Sequence, residues 1–131
     1  MELPVVVGLH VCERIAVDPV TRNVTMFNRF STLRMAEFPT EIAFSVFGVF
    51  VDGFGMMAFR VEVEHLATGL VVHEFPSMVE FADRLHEVVF GFNVSSIVFW
   101  HPGGYDVSLT IDGEPMAKCK IHLLESEGTD A

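Results

Sequence analysis

A chain of 131 residues is long enough to bury a core without staples, and short enough that a single domain over residues 1–131 is expected. Half of it is apolar, with 13 Phe against one Tyr and one Trp, which excludes a disordered chain. The net charge of −10 with only eight Lys and Arg argues against nucleic acid or an anionic membrane as the main partner, because binding phosphates needs cations to displace counterions.

The first strand is expected over Val5 to Val17, ending at Asp18-Pro19, a turn opener whose proline fixes one backbone angle. The second, Asn23 to Leu33, sets Val24, Met26, Asn28 and Phe30 on one face and Thr25, Phe27, Arg29 and Ser31 on the other. Ala36-Glu37-Phe38-Pro39-Thr40 breaks the pattern, since proline lacks the donor a ladder requires. Ile42 to Val51 is apolar on both faces, so it is either a central strand covered twice or one whose outer face meets another chain.

Asp52-Gly53-Phe54-Gly55 turns the chain into a fourth strand, where Met57, Phe59, Val61 and Val63 oppose Arg60, Glu62 and Glu64 and one face is wet. A hairpin loop at Ala67-Thr68-Gly69 leads to a fifth strand, Leu70 to Phe75. Over 77–85, Ser77-Met78-Val79-Glu80 fits a capping box, and Met78, Phe81, Ala82 and Leu85 recur at helical spacing, so one short helix or irregular crossover is expected. His86 to Val94 is the sixth strand, and Ser95 to Trp100 connects it to a corner at His101-Pro102-Gly103-Gly104. Tyr105, Val107, Leu109 and Ile111 alternate in the seventh strand, Asp112-Gly113 makes a tight turn, and Met116 to Leu124 is the eighth. The polar tail over 125–131 is expected to fray.

About eight short strands at roughly ten-residue spacing predict an all-β fold, an antiparallel β-sandwich. Tyr105 refines it. In immunoglobulin-like sandwiches a tyrosine opens the next-to-last strand and its hydroxyl bonds the backbone just upstream. Tyr105 stands at that place, after Gly103 and Gly104, and is given a structural role; the cysteine pair and strand-C tryptophan of antibody domains are absent.

Four short elements carry a wider likeness: Cys12-Glu13-Arg14-Ile15, Phe27-Asn28-Arg29-Phe30, Phe38-Pro39, and the closing run from Pro102 to Gly113. Through them nearly the whole chain resembles a group of short bacterial proteins of about this length and of no established function. The resemblance implies an all-β sandwich, and it implies no activity and no catalytic residue.

The chemistry-bearing residues form no recognisable constellation. The six histidines (His10, His65, His73, His86, His101, His122) do not pair at metal-ligand spacing. There is no Gly-x-Ser-x-Gly elbow, and Gly53-Phe54-Gly55 lacks the lysine and helix start of a phosphate loop. An enzyme is therefore not expected, nor a cofactor. If consecutive strands all run antiparallel, Asp18, Asp52, Asp83, Asp112 and Glu114 share one end of the sandwich, where oxygen ligands could hold Ca²⁺. Turn geometry explains each of them separately and is the favoured account.

The expected function is that of a cytoplasmic interaction module, a homo-oligomer or the binder of a protein partner, since so apolar a small chain holds more apolar surface than its core can hide. The expected face is the third strand with Phe44, Phe47 and Phe50, or else edge strands one or eight adding to another sheet. Trp100 and His101 mark the end where a small stacking ligand would bind. Cys12 and Cys119 lie in the first and last strands, which can be neighbours, and reduced buried thiols are favoured over a disulfide in a cytoplasmic chain.

Overall fold

The computed structural model describes residues 3–83, 85 and 87–126. Alternating apolar side chains build nine strands: β1 (Val5–Val17), β2 (Val24–Arg29), β3 (Thr32–Met35), β4 (Thr40–Val51), β5 (Gly55–His65), β6 (Val71–Phe81), β7 (Val88–Phe99), β8 (Gly103–Ile111) and β9 (Glu114–Glu125). They form a four-stranded sheet in the order β2-β1-β4-β7 and a five-stranded sheet in the order β3-β9-β8-β5-β6. Every pairing is antiparallel except β3 with β9, which is parallel. The protein is all-β, a β-sandwich, with no helix among the described residues.

The core lies between the sheets. From the first come Leu9, Val11, Ile42, Phe44, Val46, Phe50, Phe90, Val94, Ile97 and Phe99; the second answers with Met57, Phe59, Val61, Val63, Tyr105, Val107, Leu109, Ile111, Ile121 and Leu123. Phe50 is the hub. It stacks on Phe90 at 4.8 Å and meets the edges of Phe59 and Phe81, each at 5.7 Å, offset and edge-on arrangements that suit the ring quadrupole. Gly48 makes room for this stack, because the ring of Phe90 stands where a Cβ on residue 48 would need to be.

Several expectations require correction. The 77–85 stretch is no helix as far as it is described, Arg84 lying outside the described residues: β6 continues from Val71 through Pro76 to Phe81, with Val79 and Phe81 buried. Pro76 is tolerated because β6 is an edge strand, where a missing N–H on the open side costs no ladder bond. The second expected strand divides at Phe30-Ser31, so that β2 pairs with β1 and β3 crosses to the other sheet beside β9. Ser95-Ser96 is no connection either; it is a bulge inside β7, where these two residues stand opposite the single Ala43 of β4, between the pairs Ile42↔Ile97 and Phe44↔Val94. Strands one and eight of the expected fold are not edges, since β1 lies between β2 and β4, and the last strand, β9, lies between β3 and β8. β9 extends to Glu125, and residues 127–131 of the expected tail lie outside the described residues, as does His86.

Candidate functional site

The outward side of the four-stranded sheet is where the chain departs most from a plain sandwich. β1 leaves β4 after the pair Cys12↔Ser45, and its remaining residues pair only with β2. That outer half of β1, with β2, forms a hairpin arm. The opposed pairs Ile15↔Met26 and Val17↔Val24 place four apolar residues on one face of the arm. This face turns back onto the sheet, for Ile15 Cδ1 fills the place a Cβ on Gly91 would take. Two cross-strand rows lie beneath it, His10-Phe47-Gly91 and Cys12-Ser45-Asn93. His10 stacks on Phe47 at 6.4 Å, and Ser45, although polar, is buried with its hydroxyl donating to Asn93 Oδ1 at 2.5 Å. On the arm's far side the Arg14 guanidinium lies 3.7 Å from the Phe27 ring centroid, a cation–π contact.

At its tip the arm is held by Asp18. Its carboxylate accepts from the Val20 N–H at 2.8 Å and the Thr21 N–H at 3.0 Å, and the Thr21 bond is the chief reason its pKa lies below the ordinary value. Here arm and sheet do not close. A groove of about 660 Å³ runs between Ile15, Val17, Arg22 and Val24 above and Phe47, Glu87, Val89, Gly91 and Asn93 below.

This groove borders the free edge of β7. The strand has twelve residues and pairs only with β4. Edge strands normally carry devices that discourage pairing, such as charge, proline or extreme shortness. Those devices are present at the other three edges: Arg29 on β2, four residues with Arg34 in β3, and Glu74, Pro76 and Glu80 on β6. β7 has neither a charged residue nor a proline, and its outward residues Val89 and Val98 are 41% and 40% exposed. Its one irregularity is the Ser95-Ser96 bulge, which leaves Val88–Val94 as an unbroken run.

The expected interface residues separate. Phe44 and Phe50 point inward and are fully enclosed, so they offer no surface; Phe47 alone faces outward, half-buried under His10 and the arm. Nor are the 13 Phe a surface surplus: among the large exposed apolar residues only Phe54 is a phenylalanine. Ten of them lie in the core between the sheets or pack against it.

The corner is built as expected. The Tyr105 hydroxyl donates to the His101 carbonyl at 2.6 Å, and its buried ring meets Phe99 edge-on at 5.0 Å. Gly103, with φ of +126°, takes a conformation that L side chains rarely adopt, and Gly104 has Leu66 Cδ1 3.3 Å from where its Cβ would lie. His65 is buried beside them with both ring nitrogens engaged, Nε2 to the Pro102 carbonyl at 3.2 Å and Nδ1 to the Thr68 hydroxyl at 2.9 Å. His101 stacks on His65 at 5.6 Å, so its ring serves the corner, whereas Trp100 is 59% exposed.

The acidic turns do not make a cation site. Among the described residues no three His, Cys, Asp or Glu side chains stand close enough together to hold a metal ion. Asp18 is occupied by its own loop, and Asp112 Oδ1 accepts from the Ala58 N–H at 3.3 Å. Asp52 (φ +61°), Asp112 (φ +48°) and Gly113 (φ +84°) have the left-handed backbone that tight turns demand. Glu114 simply opens β9 opposite Ile111.

Cys12 and Cys119 are free thiols. Burial raises both, Cys119 to about 11, which keeps them protonated and unreactive at neutral pH. No helix among the described residues is long and apolar enough to cross a membrane.

Residues 8–124 match a family described as a family of unknown function, DUF6941, and the chain belongs to that family. No curated protein matches it.

Proposed function

We propose that this member of a family of unknown function is a non-enzymatic interaction module that takes a protein partner by strand addition along the free edge of β7. The observation that carries the reading is the contrast among the four edges: three hold a charge, and β7 holds neither charge nor proline over its twelve residues. An extended segment laid against such an edge gains main-chain hydrogen bonds, and pockets beside the edge select its alternate side chains. The groove under the arm supplies such a pocket next to Val89, Gly91 and Asn93.

The proposal extends to the finer fold and setting. The tyrosine corner at the start of the next-to-last strand supports an immunoglobulin-like sandwich. The short motifs around Cys12, Phe27 and Pro102 support a bacterial source, and two free thiols suit a reducing, cytoplasmic compartment.

The test compares what the wild-type chain and the Val89→Lys/Asn93→Lys variant retain from a lysate of the native source. Both substituted positions are exposed, but Asn93→Lys also removes the acceptor of the buried Ser45 hydroxyl, so the variant should keep a cooperative melt at a lowered temperature while losing the captured partner, and Val89→Lys alone should lose it with the melt unchanged. Equal capture by the two proteins would overturn the reading.

A further inference from the structure

We infer that the occupant of the β7 edge is a second copy of this chain, joined β7 to β7 antiparallel about a two-fold axis at Gly91. This rests on the interaction reading above and names its partner. The pairing would fuse two four-stranded sheets into one of eight strands.

Charge is the first argument. Two bodies of net charge −10 repel, so a surface on which they meet must bring no carboxylates together. The Val88–Val94 run meets that condition against itself, because it contains no ionisable side chain. β6 does not, with Glu74 and Glu80.

Register is the second. Around a two-fold axis, antiparallel strands pair residues equally spaced on either side of the centre. Side chains that face the core must oppose others that face the core, since a slip of one residue would turn the pattern over. In β7 the even-numbered residues Val88, Phe90, Phe92 and Val94 face inward up to the bulge. Centring on Gly91 therefore matches faces and uses the whole unbroken run. Phe90 then opposes the second copy's Phe92, Val88 its Val94, and Val89 its Asn93. Apolar and aromatic cross-strand pairs of this kind stabilise antiparallel sheets.

The centre is the third. A residue on the axis opposes itself at the closest approach, and at Gly91 there is no side chain to collide. The space above it is already filled by Ile15 of the arm.

Two charge variants test the register itself. Wild-type protein in light scattering should show a concentration-dependent mass rising toward about 29 kDa, twice the 14.6 kDa of one chain. Val89→Lys/Asn93→Lys alone, and Val89→Glu/Asn93→Glu alone, place like charges opposite each other and should weaken association on the order of tenfold or more. An equimolar mixture of the two pairs Lys with Glu and should recover the double mass as a heterodimer. Should a double variant lose its cooperative melt, Val89→Lys mixed with Asn93→Asp takes their place: the carboxylate keeps an acceptor for the Ser45 hydroxyl, and only the mixture opposes the new lysine to the new aspartate, so it should associate more tightly than either variant alone. A wild-type mass of 14.6 kDa at every concentration overturns the inference, as does a mixture that stays monomeric while the wild type dimerises. The interaction reading survives a monomeric wild type if lysate capture is still lost on Val89→Lys/Asn93→Lys, and falls with the inference if it is not.

Discussion

Tyr105 shows what a single residue can disclose. A lone tyrosine after Pro-Gly-Gly, at the head of an alternating run, is enough to predict its hydroxyl bond, because few other arrangements satisfy a phenol buried at a sheet corner. The structure places that bond on the His101 carbonyl. Tyr105→Phe keeps the ring contact with Phe99 and removes the donor to the His101 carbonyl, so it should cost about 1 kcal/mol while preserving the fold. Urea unfolding with an unchanged slope and a lower midpoint is the expected result; an unchanged midpoint would show that the corner contributes nothing. The neighbouring His65 was not legible in the same way. Its spacing carries no signal, and its role emerges only when the Thr68 hydroxyl and the Pro102 carbonyl are brought to its two nitrogens.

At the scale of elements, the misread stretches share a physical cause. Met78, Phe81, Ala82 and Leu85 fit a helical stripe, but Phe75, Ser77, Val79 and Phe81 fit a strand equally well, and short apolar runs cannot decide between the two periods. Pro76 is no obstacle to the strand period, because β6 stands at an edge. The arm was hidden for a different reason: the run from Val5 to Val17 carries no turn signal before Asp18-Pro19, so nothing in it shows that its second half abandons β4. Only Gly91, vacant beneath Ile15, could have hinted at it.

The arm's tip yields a pH prediction. Asp18 titrates below the ordinary 3.8 because its carboxylate, and not its protonated form, accepts the Thr21 and Val20 N–H bonds. A depressed carboxyl pKa stabilises the tip at pH values above the unfolded pKa, and that stabilisation fades as pH falls through the folded one. In an NMR titration the Val20 and Thr21 amide shifts should follow the Asp18 carboxyl through a common midpoint below 3.8. A midpoint at or above that value would mean the tip is held by other contacts, such as the Arg22 N–H to the Asp18 carbonyl at 2.8 Å.

For the molecule as a whole, composition points to surplus apolar surface, and phenylalanine is not where such a surface lies. Ten of the 13 phenylalanines lie in the core or pack against it, and what is exposed along β7 is valine beside glycine and asparagine. Strand order decides this, since an edge can be recognised only after every partner is assigned, and the sheet switch at Phe30-Ser31 leaves β2 beside β1 while it puts β3 beside β9. Whole-molecule charge then separates an edge-to-edge dimer from one held by ion pairs. Two chains of −10 repel over a distance set by screening, about 30 Å at 0.01 M salt and about 8 Å at 0.15 M. A contact made by the uncharged β7 has no attractive pair for salt to weaken. Raising NaCl between those limits should therefore tighten self-association in sedimentation equilibrium, because screening lowers the repulsion between the two joined bodies. Weaker association at the higher salt would place oppositely charged groups at the contact and move it away from β7.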